Sequence, residues 1–205
     1  MDGRTNFIVA HISGKILDVG YYCGSLHATL KKFFPNENLY GIDIEGKSNA
    51  HYRKASAEKI PFENEFFNSV IAGETIEHLQ KPEEFLKEAH RILKPNGLLV
   101  LSTPNRNSAI NKLLKSYNTE VHLNLFNKRE LAELLQNNGF EIEVFRTFPY
   151  TPESCDGSKH QKLFALRKAA HKILPEGLRE NMAVIARKKG GIGTAGSDIA
   201  RKRGN

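Results

Sequence analysis

From residue 15 to residue 186, short apolar runs of strand length alternate with amphipathic helical stretches, and that alternation leaves few architectures open. Residues 15–20 (KILDVG), 38–43 (NLYGID), 68–73 (NSVIAG) and 98–103 (LLVLST) read as buried strands, with a weaker one over 51–55. The intervening stretches are helical. Over 25–34, Leu26, Leu30 and Phe33 or Phe34 share one face. Over 82–93, Pro82 suits the first turn, Glu83 and Glu84 the positive end of the dipole, and Arg91 and Lys94 the negative end. Pro95-Asn96-Gly97 then reads as a turn. Helices are also predicted over 107–117, 128–138 and 159–174, and strands over 140–148 and 182–186. The expected fold is α/β, a mostly parallel sheet covered on both faces, with ligands at the carboxyl ends of its strands.

A length of 205 residues suits one domain, placed at residues 1–188. Two cysteines, Cys23 and Cys155, cannot build a secreted disulfide framework, so a reducing, cytoplasmic setting is expected. The longest apolar runs, such as 97–101, are too short to cross a bilayer, and the first eight residues have no signal-peptide pattern. Much of the formal charge of +7 is local. Residues 187–205 hold six Lys or Arg and one Asp, and 189–205 read as a disordered basic tail. Without that tail the chain is near neutral, which gives no strong nucleic-acid signal.

The chemistry sits at the strand ends. After the first strand come Asp18, Gly20, Tyr22 and Gly24, a glycine-bearing turn into a helix. It does not fit the G-x-G-x-x-G dinucleotide pattern, because Gly24 is one position off. After the second strand comes Asp43, placed to accept the hydroxyl protons of a ribose. The first turn of a nicotinamide oxidoreductase would need the tighter glycine pattern, yet that class stays open on these residues alone.

ILDVGYYCGSL is similar to motif I of the class I methyltransferases, and LYGIDI to their acidic second-strand motif. The run from SAEKIPFENEFFNSVIAGETIEHL to LLVLSTPN, continued by HLNLFNKRELAELLQNNGFEIE, resembles the ubiquinone- and menaquinone-biosynthesis-like methyltransferases. The resemblance implies a Rossmann-like, doubly wound seven-stranded sheet with the last strand antiparallel, and S-adenosylmethionine as cofactor. It implies that Gly20 and Gly24 face the methionine part, that Asp18 orders their loop, and that Asp43 binds the ribose. Ile44 would pack on the adenine, with Ala57 and Glu58 at its edge and Glu74 lining the site. Three positions depart from the pattern: Tyr22 replaces the middle glycine of motif I, Ser56 replaces a frequent Asp, and Asn68 replaces the Asp that opens the fourth strand. If the Tyr22 ring filled the pocket, the chain would be a non-catalytic binding module.

Glu74-Thr75-Ile76-Glu77-His78 is similar to the E-x-x-E-H metal motif of ubiquinone-pathway and small-RNA methyltransferases. A helix starting at Glu74 would put Glu74, Glu77 and His78 within one turn, with His122 returning over the same pocket. Those four residues are the candidate ligands of a divalent metal; Glu77, His78 and His122 are also the candidate catalytic groups. Glu77 and His78 could equally buttress the following helix. The expected acceptor is a small molecule, or a lipid- or sugar-linked group, methylated on a hydroxyl. The arm before Gly14 is short and offers little lid, so residues 151–179 are the expected acceptor cover. There Leu163, Phe164, Leu166, Ala170, Ile173 and Leu174 form an apolar face flanked by Lys159, Lys162, Arg167, Lys168 and Lys172. Such a face packs on the domain or lies on a membrane surface as a peripheral contact.

Overall fold

The computed structural model describes residues 1–22, 25–115, 122–150 and 163–190. A seven-stranded sheet runs through it in the order β3-β2-β1-β4-β5-β7-β6. Its strands are β1 (Ile16–Val19), β2 (Leu39–Asp43), β3 (Tyr52–Lys54), β4 (Phe67–Gly73), β5 (Leu93–Pro104), β6 (Phe140–Phe148) and β7 (Asn181–Lys188). The first five are parallel to their neighbours, and β7 lies antiparallel between β5 and β6. This is the mostly parallel sheet the strand and helix pattern predicts, in the Rossmann-like seven-stranded form the resemblance implies.

Alternate residues of each strand feed opposite faces. On one side Leu17, Val19, Val70 and Leu99 meet Phe85 and Leu86 of α3 (Pro82–Ile92) and Leu131 and Leu135 of α5 (Lys128–Asn137). On the other, Ile16, Ile71, Val100 and Ile185 meet Ile8 of α1 (Gly3–Val9) and Leu30 of α2 (Ser25–Phe33). Asp18 shares the α1/α2 side by the same alternation. A short α4 (Ala109–Leu113) follows β5, and α6 (Phe164–Ile173) precedes β7.

Several local expectations change. The N-terminal arm is helical: Asp2 caps α1 by accepting the Arg4 and Thr5 amides, and Ile8 is buried beneath it. No helix begins at Glu74. That residue has φ +54°, and a single 3₁₀ turn over Ile76–His78 follows it. Pro95-Asn96-Gly97 falls inside the span of β5, where the β4 pairing jumps from Phe67↔Leu93 to Ser69↔Leu98 and Asn96 turns to φ +62°. Asn68, at the opening of β4, has a structural use, since its side-chain oxygen accepts from the Lys15 amide and the Lys94 ammonium.

The expected polarity of α6 is also corrected. Arg167, read as one of the flanking cations, is buried and paired with Glu180, while Ile173 of the supposed apolar face is 84% exposed. Because α6 packs its Arg167 side inward, the buried guanidinium requires a counter-charge, and Glu180 supplies it. The helix sits at Phe164–Ile173; Lys159 and Lys162, most of the 151–179 cover before it, Tyr117 and the 191–205 tail lie outside the described residues.

Candidate active site

At the carboxyl ends of β1 and β2 the chain opens a cavity of about 410 Å³, bounded by Gly20, Asp43, Ile44, Ala57, Thr75 and His78 among others. Its floor is a crossing of three backbones. The Gly20 amide donates to Ile42 at 2.8 Å. The Thr75 hydroxyl reaches from beyond β4 to the Val19 carbonyl at 3.0 Å. Gly20 has φ +81°, and a Cβ there would stand 2.8 Å from Thr75 Oγ1. The left-handed backbone and the close approach both demand glycine. Gly24, the other glycine of the turn, is outside the described residues.

The tyrosines that interrupt the glycine turn lie away from the cavity. Tyr21 covers Gly41 on β2, where a Cβ would be 2.7 Å from its ring. Tyr22 lies against Gly46 in the same way, at 2.9 Å, and is half exposed. Neither ring borders the cavity. Asp43 accepts the Tyr22 amide on one oxygen and the Glu45 amide on the other, both at 3.0 Å. Each oxygen keeps a lone-pair direction for a further donor.

Ile44, 70% exposed, and buried Ala57 form apolar walls of the cavity. Ser56 turns the chain by accepting the Glu58 amide. The Glu58 carboxylate accepts the Lys81 amide at 2.7 Å, beside the start of α3, so it joins the cavity rim to that helix.

Beyond β4, Glu74 leaves the helical path, and Arg4 of α1 takes its carboxylate at 2.8 Å. Arg4 was not among the residues expected at the site, although Asp2 followed by Phe7 and Ile8 is a visible helix start. Glu77, His78 and His122 converge instead: one ligand atom from each lies within 4.8 Å of the others. Glu77 is fully buried, with one oxygen on Thr103 at 3.1 Å and the other without a hydrogen-bond partner among the described residues. Burial, reinforced by the Glu74 charge, pushes its carboxyl well above the ordinary range. His122 Nδ1 is also buried and has no hydrogen-bond partner among the described residues, and burial followed by the His78 charge pushes that imidazole down. The two rings meet edge to face at 5.0 Å. His78 borders the cavity, and His122 borders a wider, open hollow of about 670 Å³ that includes Leu123, Phe126 and Leu134.

Residues 5–144 match the family described as methyltransferase domain. The chain belongs to that family. S-Adenosylmethionine is the methyl donor these enzymes use, and this chain is a class I member. A demethylmenaquinone methyltransferase of Chlorobaculum tepidum is 32% identical over 114 residues, which are 50% of this chain and 47% of that protein. A ubiquinone biosynthesis O-methyltransferase of Rickettsia bellii is 25% identical over 178 residues, covering 72% and 73% of the two chains. Among solved structures, a methyltransferase of Thermotoga maritima matches with TM-score 0.65 over 91% of this chain and 88% of its own, at 21% identity. That likeness establishes the fold. The chain spans about half the length of the demethylmenaquinone relative, so its own activity is argued from its residues.

Proposed function

We propose that the protein transfers the methyl group of S-adenosylmethionine to a hydroxyl of a small aromatic acceptor of the quinone-precursor kind. The observation that carries this reading is the Glu77–His78–His122 cluster at the wall between the cavity and the hollow. The name of the ubiquinone biosynthesis O-methyltransferase relative agrees with it. The cavity suits the cofactor: its floor admits no Cβ at Gly20, its acid at Asp43 retains acceptor capacity, and neither tyrosine ring enters it. When bound, the cofactor supplies an electrophilic methyl group on a sulfonium. The chain's task is to hold the acceptor oxygen in line, exclude water and take its proton.

In this reading Asp43 accepts the ribose hydroxyls, Ile44 and Ala57 hold the adenine, and Glu58 fixes the rim. Gly20 lets the cofactor approach the turn. The acceptor enters on the His122 side, where Leu123, Phe126 and Leu134 supply apolar contact. His122, held neutral by its surroundings, is the proton acceptor for the hydroxyl. A divalent cation also fits the cluster, because Glu77 Oε1 and His122 Nδ1 are buried and have no hydrogen-bond partner among the described residues. Glu77, His78 and His122 would hold it and it would lower the pKa of a coordinated hydroxyl; Glu74, turned to Arg4, would stand outside. Exposed Ile173 with Lys168 and Lys172 beside it suits presentation of a lipid-tailed acceptor from an anionic surface.

The test is methyl transfer to a catechol, with and without a prenyl tail and anionic vesicles, beside amine and thiol acceptors. The catechol should be the substrate, and His122→Ala should lower kcat by about 10²–10⁴. Calorimetry with Mn²⁺ separates the two roles of the cluster. Binding lost in both His78→Ala and His122→Ala supports the metal, and no binding by wild type leaves His122 as a base alone. Transfer to amines in preference to catechol would overturn the acceptor class.

A further inference from the structure

Asp18 is buried at the end of β1 on the face covered by α2, so it points away from the cavity that its neighbours Val19 and Gly20 border. Its partner is His27, in the first turn of α2 and itself buried. His27 Nδ1 lies 2.9 Å from Asp18 Oδ2, and Nε2 lies 3.1 Å from the Tyr52 hydroxyl on β3. A carboxylate only accepts, so Nδ1 carries the proton. In the neutral ring Nε2 then accepts, and the Tyr52 O–H donates to it. One imidazole therefore joins β1, α2 and β3 in a single chain of hydrogen bonds.

The surroundings reinforce that chain. The Tyr21 ring lies 5.1 Å from His27 and 4.9 Å from Tyr52, and the Lys31 ammonium sits over Tyr52 at 5.2 Å. Burial pushes the Asp18 carboxyl up, the His27 hydrogen bond pulls it back, and Asp43 adds a like charge nearby. The groups that face His27 are thus Asp18, Tyr52 and Tyr21, with Lys31 and Asp43 one step away. The turn after β1, whose Val19 and Gly20 border the cavity, hangs between the two ends of the Asp18–His27 bond. Tyr22 in turn fixes Asp43 through its amide.

We propose that His27 is a positioning residue for the cofactor. By bonding Asp18 across the turn and Tyr52 on β3, it holds Gly20 and Asp43 at the separation that one bound cofactor spans. This rests on the cavity being the S-adenosylmethionine site, and on nothing about the acceptor. An Asn at 27 places an amide N–H at the same bond distance from the backbone as Nδ1, so it keeps the donor to Asp18 and gives up Tyr52. A Leu at 27 keeps the bulk and gives up both.

The experiment is titration calorimetry of the full chain with S-adenosylhomocysteine, below the melting temperature of each variant. His27→Leu should weaken binding about tenfold or more, His27→Asn should recover to within about threefold of wild type, and Tyr52→Phe should weaken it about threefold. Should His27→Leu fail to fold, Asp18→Asn, which keeps shape and loses the acceptor charge, should show the tenfold loss. A role in stability alone would lower the melting temperature and leave the affinity in place. His27→Leu binding within twofold of wild type, or His27→Asn binding no better than His27→Leu, overturns the proposal. Wild type that does not bind S-adenosylhomocysteine overturns the reading of the cavity instead.

Discussion

Tyr21 and Gly41 form a matched pair. A motif that elsewhere uses small residues in the turn here carries rings, and the space for them comes from glycines on β2 and in the loop after it. Gly41 faces Tyr21 at 2.7 Å and Tyr52 at 3.0 Å from where a Cβ would stand, so neither ring can retreat far from an added methyl group. Gly41→Ala is expected to destabilise the fold by about 1–3 kcal/mol, measured by denaturant unfolding. Tyr21→Ala would open a void over Gly41, so it should also destabilise. That Asp18, Gly20 and Asp43 stand at strand ends was legible in the sequence because each closes an apolar run, whereas the roles expected of them rest on the family resemblance. His27 was not legible. Helical periodicity put the buried face of α2 on its apolar residues, and nothing in that pattern tells that an acid on the preceding strand faces the same side.

α3 shows an element doing more than its own packing. Arg91, near its end, bonds Glu88 one turn back and also donates to the Ile60 and Phe62 carbonyls and to Asn64. Glu88 accepts the Ile60 amide as well. One ion pair thus holds the irregular stretch between β3 and β4 against the helix. The Glu88 carboxyl is held below its ordinary value, chiefly by the Arg91 hydrogen bonds. A carboxyl depressed in the folded state stabilises above its unfolded pKa, and that stabilisation fades as pH falls through the depressed value. Glu88→Gln should therefore lower Tm at pH 7, and the difference from wild type should vanish as pH falls through the depressed Glu88 value. The boundaries of α3 were readable because Pro82 and its acidic first turn mark the start. α1 was missed because seven residues are too few for a periodic stripe, and its stability comes from Ile8 beneath it and Phe7 against Phe148. The segment after β4 was misread as helical for a related reason. Spacing alone suits a helix there, but the bond from the Glu74 amide to Ser102 and the positive φ of Glu74 turn the chain first.

At the scale of the whole molecule, a mostly parallel α/β sheet was legible from the alternation of apolar strands with amphipathic helices, and seven strands with the last antiparallel from the family resemblance, whereas the strand order comes from the structure. The docking of α6 was the least legible. It depends on a buried ion pair, Arg167 with Glu180 at 2.6 Å, that joins α6 to the residue before β7, with Glu180 also accepting the Tyr150 amide. Removing one partner leaves a buried charge, so Arg167→Met should cost about 3–5 kcal/mol in chemical unfolding, and adding Glu180→Gln should return part of that loss. A larger loss in the double variant would show that the two side chains do not act as a pair. The strand that α6 leads into has a consequence of its own. β7 is made last of the seven, yet it lies between β5 and β6 and supplies the ladder for both. During synthesis, then, a ribosome releases β1 to β5, which can pair among themselves, and then β6, which has no strand to join. The rims of β5 and β6 wait as open templates, the kind of surface that invites pairing with a neighbouring nascent chain, until residues 181–188 emerge and fill the gap between them.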